Sequence, residues 1–232
     1  MTKRLQTLGV VLAVIGLGFL AGAGVAYARV QAGYKSLHAL SAAQNVELTY
    51  NADGQLADDT GSTKEATAIM SLLKDDWKYP VVSSDLNPND PVVNTASEYM
   101  YQMATITYHT ITRPQTVVLP EDVTADNGKV FKAGSYDFNP NGKYWTGYDR
   151  SNPIEAIARD QAWSGTAHGL IAELGVGTVT HSALQLGLAL AAILGGFGLT
   201  IILAGLGLIW AGKAPAQITA PITERTAEPV LV

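Results

Sequence analysis

With no cysteine in the chain, the side chains best suited to chemistry are its histidines, methionines and carboxylates. Met100, Met103 and His109 fall on one predicted helix, and together they make the soft ligand set that copper favours in an oxidising compartment. Methionine beside tyrosine on an amphipathic helix serves equally well as core filler, so the same residues also have a purely structural reading. His38 and His168 stand apart in sequence. His181, at the edge of an apolar run, suits an interfacial anchor or a ligand at a subunit contact. Asp53, Asp58 and Asp59 surround a glycine-containing turn but lack the ligand spacing and closing Glu of an EF-hand loop. Ser164 and His168 are four apart, as a helix cap and a core histidine would be, and no G-x-S-x-G or phosphate-cradling glycine loop is present. The expectation is therefore a non-enzyme, with no catalytic residue, no resident metal and no cofactor. A second constellation is aromatic: Tyr144, Trp145, Tyr148 and Arg150, with Trp163 further on, are residue types that anchor protein interfaces, or that fill the core of a small β unit.

The elements that must position these residues are organised by two apolar runs, residues 8–28 and 184–211, each free of Asp, Glu, Lys and Arg and long enough to cross a bilayer as a helix. Between them lies residues 29–183, large enough for one domain with its own core. Of the 15 basic residues only Lys3, Arg4, Lys213 and Arg225 lie outside this middle, and of the 20 acidic ones only Glu224 and Glu228, which leaves it a net charge of about −7. Such a domain repels nucleic acid and anionic headgroups. Lys3 and Arg4 before the first run and Lys213 after the second place both termini in the cytoplasm, residues 1–7 and 212–232, and the middle outside, although Arg29 and Lys35 oppose that assignment. The basic start and the Ala26-Tyr27-Ala28 triplet also fit a cleaved signal peptide. The apolar run is longer than a signal core, which favours an uncleaved anchor.

The predicted fold is thus a membrane protein with two transmembrane α-helices flanking one α+β extracytoplasmic domain that contains a small antiparallel β meander. The first helix should run on to about Gln44. Val46 to Tyr50 alternates like a strand. Ser62-Thr-Lys-Glu65 and Thr95-Ala-Ser-Glu98 are capping-box patterns that open helices, and Asn152-Pro153 opens another. Three short β runs at 116–119, 129–131 and 135–138, separated by Asn-Gly and Pro-Asn-Gly turns, make the meander. A helix at 167–174 should lead through Gly175 and Gly177 to the second span. Within the spans, Gly18, Gly22 and Ala26 on the first, and Gly187, Ala191 and Gly195 on the second, recur at four-residue spacing. They offer close-packing faces for the other span or for a partner subunit.

At IMSLLKDDW (69–77), NPNDP (87–91), EYMYQMA (98–104) and AHGLIAELG (167–175) the chain resembles a family of actinobacterial two-span membrane proteins that often carry the label of an aromatic-ring-opening dioxygenase subunit. Ring-opening dioxygenases hold iron with two histidines and a carboxylate in a soluble fold. This sequence shows no such arrangement, and the resemblance carries no catalytic motif. Two uncharged spans with small-residue faces, an ordered domain between them and the absence of a reaction centre point to a non-catalytic accessory or scaffold subunit, with integral membrane subunits of a larger complex and the lipid bilayer as partners. The host would be a copper-dependent membrane monooxygenase or a respiratory assembly. The alternative is an extracytoplasmic module that binds or senses a small ligand or copper.

Overall fold

The computed structural model describes residues 2–213; Met1 and the part of the expected cytoplasmic tail beyond Lys213 lie outside the described residues. The chain divides into two compact units, Met1–Tyr27 with Ala189–Val232, and Ala28–Leu188.

Two helices dominate. Helix α1, Thr2–Gln44, and helix α5, Gly165–Ala211, contain no proline and many Ala, Leu and Gly residues. At 1.5 Å per residue they are about 65 and 70 Å long, twice the hydrocarbon thickness of a bilayer. Both are long and apolar enough to cross a membrane, and only 11% of the most apolar window of each is buried within the chain.

In the first unit the two helices are antiparallel and meet backbone to backbone. Gly9 faces Gly205, and Gly16 faces Gly198. A Cβ on Gly9 would lie 2.5 Å from the Gly205 carbonyl oxygen, and one on Gly16 2.7 Å from that of Gly198. The side chain of Gln6 closes the end of the pair by donating from Nε2 to the Gly212 carbonyl at 3.0 Å.

In the second unit α1 ends at Gln44, as its composition predicts, and the following segment makes only the isolated bridges Glu47 to Val92 and Tyr50 to Leu56 instead of a full strand. Helix α2, Thr63–Ser71, widens into a π turn over Leu72–Asp76. Helix α3, Ala96–Thr112, begins with a complete capping box. The Glu98 amide donates to Thr95 Oγ1 at 3.4 Å and the Thr95 amide to Glu98 Oε2 at 2.9 Å. Helix α4, Pro153–Ala162, is capped by Asn152, whose Oδ1 accepts from the Ile154 amide at 3.1 Å.

The β region departs from a meander. Strand β1, Gln115–Leu119, pairs antiparallel with β4, Gly134–Phe138, while β2, Val123–Thr124, and β3, Val130–Phe131, pair with each other inside that loop. The result is a long hairpin with a shorter one nested in it. Val117 and Leu119 face Ala158, Ile154 and Ile157 of α4, so the inward side of β1 is chosen by helix packing. The larger core gathers Ile69, Leu72, Leu73, Tyr99, Tyr101 and Ile111 with Tyr148 and Trp163. No break occurs at Gly175 or Gly177, and α5 passes through both. Gly177 is present there for space, since a Cβ would fall 2.7 Å from the ring of Tyr99.

Candidate functional site

Helices α2 and α3 position the group with the most evident chemistry. Glu65 stands in the first turn of α2 in a capping-box pattern, yet its side chain does not cap. Ser62 accepts only from the Lys64 amide, at 3.3 Å, and Glu65 turns instead to His109 in the last turn of α3. Oε1 of Glu65 meets Nε2 of His109, and Arg113, one turn on, sets its Nη2 3.0 Å from that nitrogen and 3.8 Å from Oε1. One carboxylate thus holds an imidazole and a guanidinium, both about a third to two-thirds exposed.

The group forms one wall of a cleft of about 250 Å³ that also takes in Glu47, Asp58, Asp59 and Tyr101. Burial, then Tyr50 and Glu65, push the Tyr101 phenol up to about 12, so it stays a neutral hydroxyl. Asp58 is committed to its own turn. Its Oδ1 accepts from the Thr60 hydroxyl at 2.6 Å, the Thr60 amide at 2.9 Å and the Ser62 amide at 3.0 Å, and the Thr60 hydroxyl and Ser62 amide hold the carboxyl below the usual carboxylate range. The arrangement can attract a cation or a basic group to its rim. With Nε2 engaged by Glu65, His109 has only Nδ1 to offer a ligand.

Met100 and Met103 do not join this cleft. At about 100° per residue, nine residues put Met100 on the far side of α3 from His109, and Met100 packs against the larger core. The proposed soft ligand set is therefore not assembled by the fold. No group of three or more His, Asp or Glu among the described residues is arranged to hold a metal ion. Ser164 caps α5, its Oγ accepting from the Ala167 amide at 3.2 Å, and the exposed ring of His168 meets Trp145 edge to face, with ring centroids 5.2 Å apart, and lies tilted against Trp163 at 5.6 Å.

The aromatic constellation divides. Tyr148 is buried against Phe138, whose ring centroid is 5.8 Å away, and belongs to the core. Tyr144 and Trp145 remain exposed, and Trp77 donates from Nε1 to the Tyr144 hydroxyl at 2.9 Å. The cation over Trp145 is Arg159, with Cζ 4.2 Å from the ring centroid, while Arg150 is exposed. The sequence pattern grouped Arg150 with these aromatics and did not include Arg159. The helical spacing of α4, which carries Arg159 to the Trp145 side, was the available signal.

Of the two glycine faces expected to pack on the other span or on a partner subunit, the one on α1 is not its contact with α5. A Cβ on Gly18 or Gly22 would meet no other atom within 4 Å, and Ala26 is only half-buried. The intrachain face of α1 in the first unit is Gly9, Gly16 and Ala23, buried at seven-residue intervals. Gly18 is two residues, about 200°, from Gly16 and so lies on the opposite side of the helix. On α5 the expected positions are in contact: Ala191 is buried, a Cβ on Gly195 would lie 3.7 Å from that of Ala23, and in the second unit one on Gly187 would lie 2.8 Å from Val30 Cγ2. Ile15, Gly18, Phe19 and Gly22, with Leu194, outline an open groove of about 260 Å³.

No protein-family model, curated protein or solved structure matches this chain.

Proposed function

We propose that the chain is a non-catalytic accessory subunit, anchored in a bilayer through residues 8–28 and 184–211, that assembles with and stabilises a larger membrane enzyme complex. The observation that carries this reading is the second small-residue face of α1. Its own hairpin consumes Gly9 and Gly16, and Gly18 and Gly22 are left open beside exposed Ile15 and Phe19. Small residues at four-residue spacing let another helix approach closely. The low burial of both apolar windows supports lipid and partner helices as their surroundings. Lys3, Arg4 and Lys213 support cytoplasmic termini and an extracytoplasmic middle. The proposed host is a copper monooxygenase or a respiratory assembly of an actinobacterial membrane.

Gentle extraction followed by mass spectrometry of co-purifying chains tests the proposal. Integral subunits should co-purify at fixed ratio with the native protein and be lost with Gly18→Ile and Gly22→Ile, while the variant chain keeps its helicity. Recovery of the native chain alone would overturn the reading. The His109, Glu65 and Arg113 cleft favours a second reading as an extracytoplasmic module for a small ligand or copper. That reading predicts metal or ligand retained on the purified chain and lost in His109→Ala.

A further inference from the structure

The cleft beside Glu65 and His109 is a slot laid along α3. Tyr101, Thr105, His109 and Arg113 line it at four-residue intervals, a span of about 18 Å at 1.5 Å per residue. Buried Leu48, Ala57, Ala66 and Ile69 form its apolar floor. The carboxylates of Glu47, Asp58, Asp59 and Glu65 line it against one guanidinium and one imidazole, so two or three positive charges on an occupant would neutralise its walls. Glu65 engages His109 and Arg113, and Asp58 is held by its own turn. The exposed carboxylates of Glu47 and Asp59 have no partner among the described residues. Tyr101 supplies a second, independent sign of an occupant. It is only 5% exposed, it lines the slot, and its hydroxyl makes no hydrogen bond among the described residues. The nearby Tyr50 hydroxyl also lacks a partner but is sealed in the interior. That of Tyr101 is not sealed, and as a neutral hydroxyl it can accept from an ammonium.

We infer that this cleft binds a linear aliphatic polyamine, its ammonium groups on Glu47, Asp59 and the Tyr101 hydroxyl and its methylenes over the apolar floor. The inference rests on the reading of the cleft as a small-ligand site and names the class of ligand. Among the described residues no three carboxylates or imidazoles converge as a metal ion requires. The negative charge is spread along the slot, which suits an extended cation and not a point one. Ammonium on carboxylate makes a charge-assisted hydrogen bond, and a monoamine would leave part of the wall charge unmatched. Arg113 repels a further ammonium and so bounds the slot at the C-terminal end of α3.

Isothermal titration of the full chain in nonionic detergent, at fixed ionic strength, compares spermidine with n-butylamine and with magnesium chloride. The expected result is a single spermidine per chain, bound about tenfold or more tighter than the monoamine. The double variant Glu47→Gln and Asp59→Asn should weaken it about tenfold. Tyr101→Phe should weaken it several-fold with the unfolding temperature unchanged, because the hydroxyl it removes holds no partner in the chain. Glu47 and Asp59 are exposed, so the double variant should fold. Magnesium binding that matches spermidine, or a spermidine affinity indifferent to these substitutions, would mark diffuse counter-ion attraction and overturn the inference. A lysine-rich peptide that displaces spermidine at lower concentration would make the cleft a protein-docking site and also overturn it. Spermidine left unbound, while a metal or another ligand stays on the purified chain and is lost in His109→Ala, would overturn the inference and leave the small-ligand reading standing. A chain that holds neither would remove both.

Discussion

Adding one methyl group at each of two glycines separates the helix face the chain uses from the face it leaves open. At Gly205 the new Cβ would sit 2.5 Å from the Gly9 carbonyl oxygen, 2.9 Å from the Ala13 amide nitrogen and 3.3 Å from Leu12 Cβ. Two of these neighbours are backbone, so no rotamer change relieves the clash and the helices must part by about 1 Å to reach ordinary contact. Overpacking of this kind costs roughly 1–3 kcal/mol, against about 1 kcal/mol gained from alanine over glycine in a helix. Gly205→Ala should therefore destabilise the hairpin by about 1 kcal/mol. At Gly18 nothing lies within 4 Å, and Gly18→Ala should be neutral or stabilising by up to about 1 kcal/mol. The two variants then differ by about 2 kcal/mol, roughly thirtyfold in the equilibrium constant. Because the chain has no native cysteine, a donor and acceptor dye on Leu5→Cys and Ala211→Cys would report separation of α1 from α5 as sodium dodecyl sulfate is titrated into the detergent-solubilised protein. A Gly205→Ala midpoint equal to that of the parent chain, or a Gly18→Ala midpoint lowered as far as that of Gly205→Ala, would refute the assignment of faces.

Three further outcomes test the second unit. Tyr99→Phe removes the buried bond to Ser41 but leaves Ser41 its own acceptor on Leu37, so thermal unfolding should show a loss of about 0.5–1.5 kcal/mol; a larger loss would mean the phenol holds more than this one partner. Thr95→Ala removes the side chain that satisfies the Glu98 amide and should cost about 1 kcal/mol by the same assay, with no change meaning that the box does not stabilise α3. Burial holds the Glu98 carboxyl above its ordinary range despite the lowering by the Asn94 and Thr95 amides. Its contribution to stability is then greatest below the unfolded pKa and is lost as pH rises through the folded one. Between about pH 8 and about pH 4 the parent chain should gain in Tm relative to Glu98→Gln as pH falls, and a difference independent of pH would remove the effect attributed to burial.

Much of the architecture was legible because it depends on local pattern. The two apolar helices follow from uncharged runs of sufficient length, the α1 boundary at Gln44 from composition, and the starts of α3 and α4 from Thr95 with Glu98 and from Asn152 with Pro153. What was not legible depends on partners far off in the chain. Glu65 has the spacing of a cap but is drawn off by a histidine 44 residues away. The three β runs fall close to their expected places, yet β1 skips its neighbour for β4, and Val117 and Leu119 of that strand pack on α4. Gly177 resembles a helix breaker until Tyr99 is seen against it. Trp145 takes its cation from Arg159 and not from Arg150, since a helix, and not chain proximity, decides which guanidinium reaches the ring.

The glycines of α1 illustrate the same limit and also explain why an open face has meaning. A four-residue motif advances about 40° past a full turn and is a local signature; a seven-residue repeat returns to within about 20° and is the signature of a sustained contact between two helices. Gly9, Gly16 and Ala23 follow the second rule and are buried, whereas Gly18 and Gly22 follow the first and are exposed. A helix docking on Gly18 and Gly22 would approach α1 from the side opposite Gly16. It would therefore leave the contacts of Gly9 with Gly205 and of Gly16 with Gly198 intact. Association would not have to open the hairpin, and the hairpin would not have to wait for association. Substituting Gly18 and Gly22 should accordingly abolish assembly at no cost to the chain's own fold, a separation that a helix pair sharing one face could not produce.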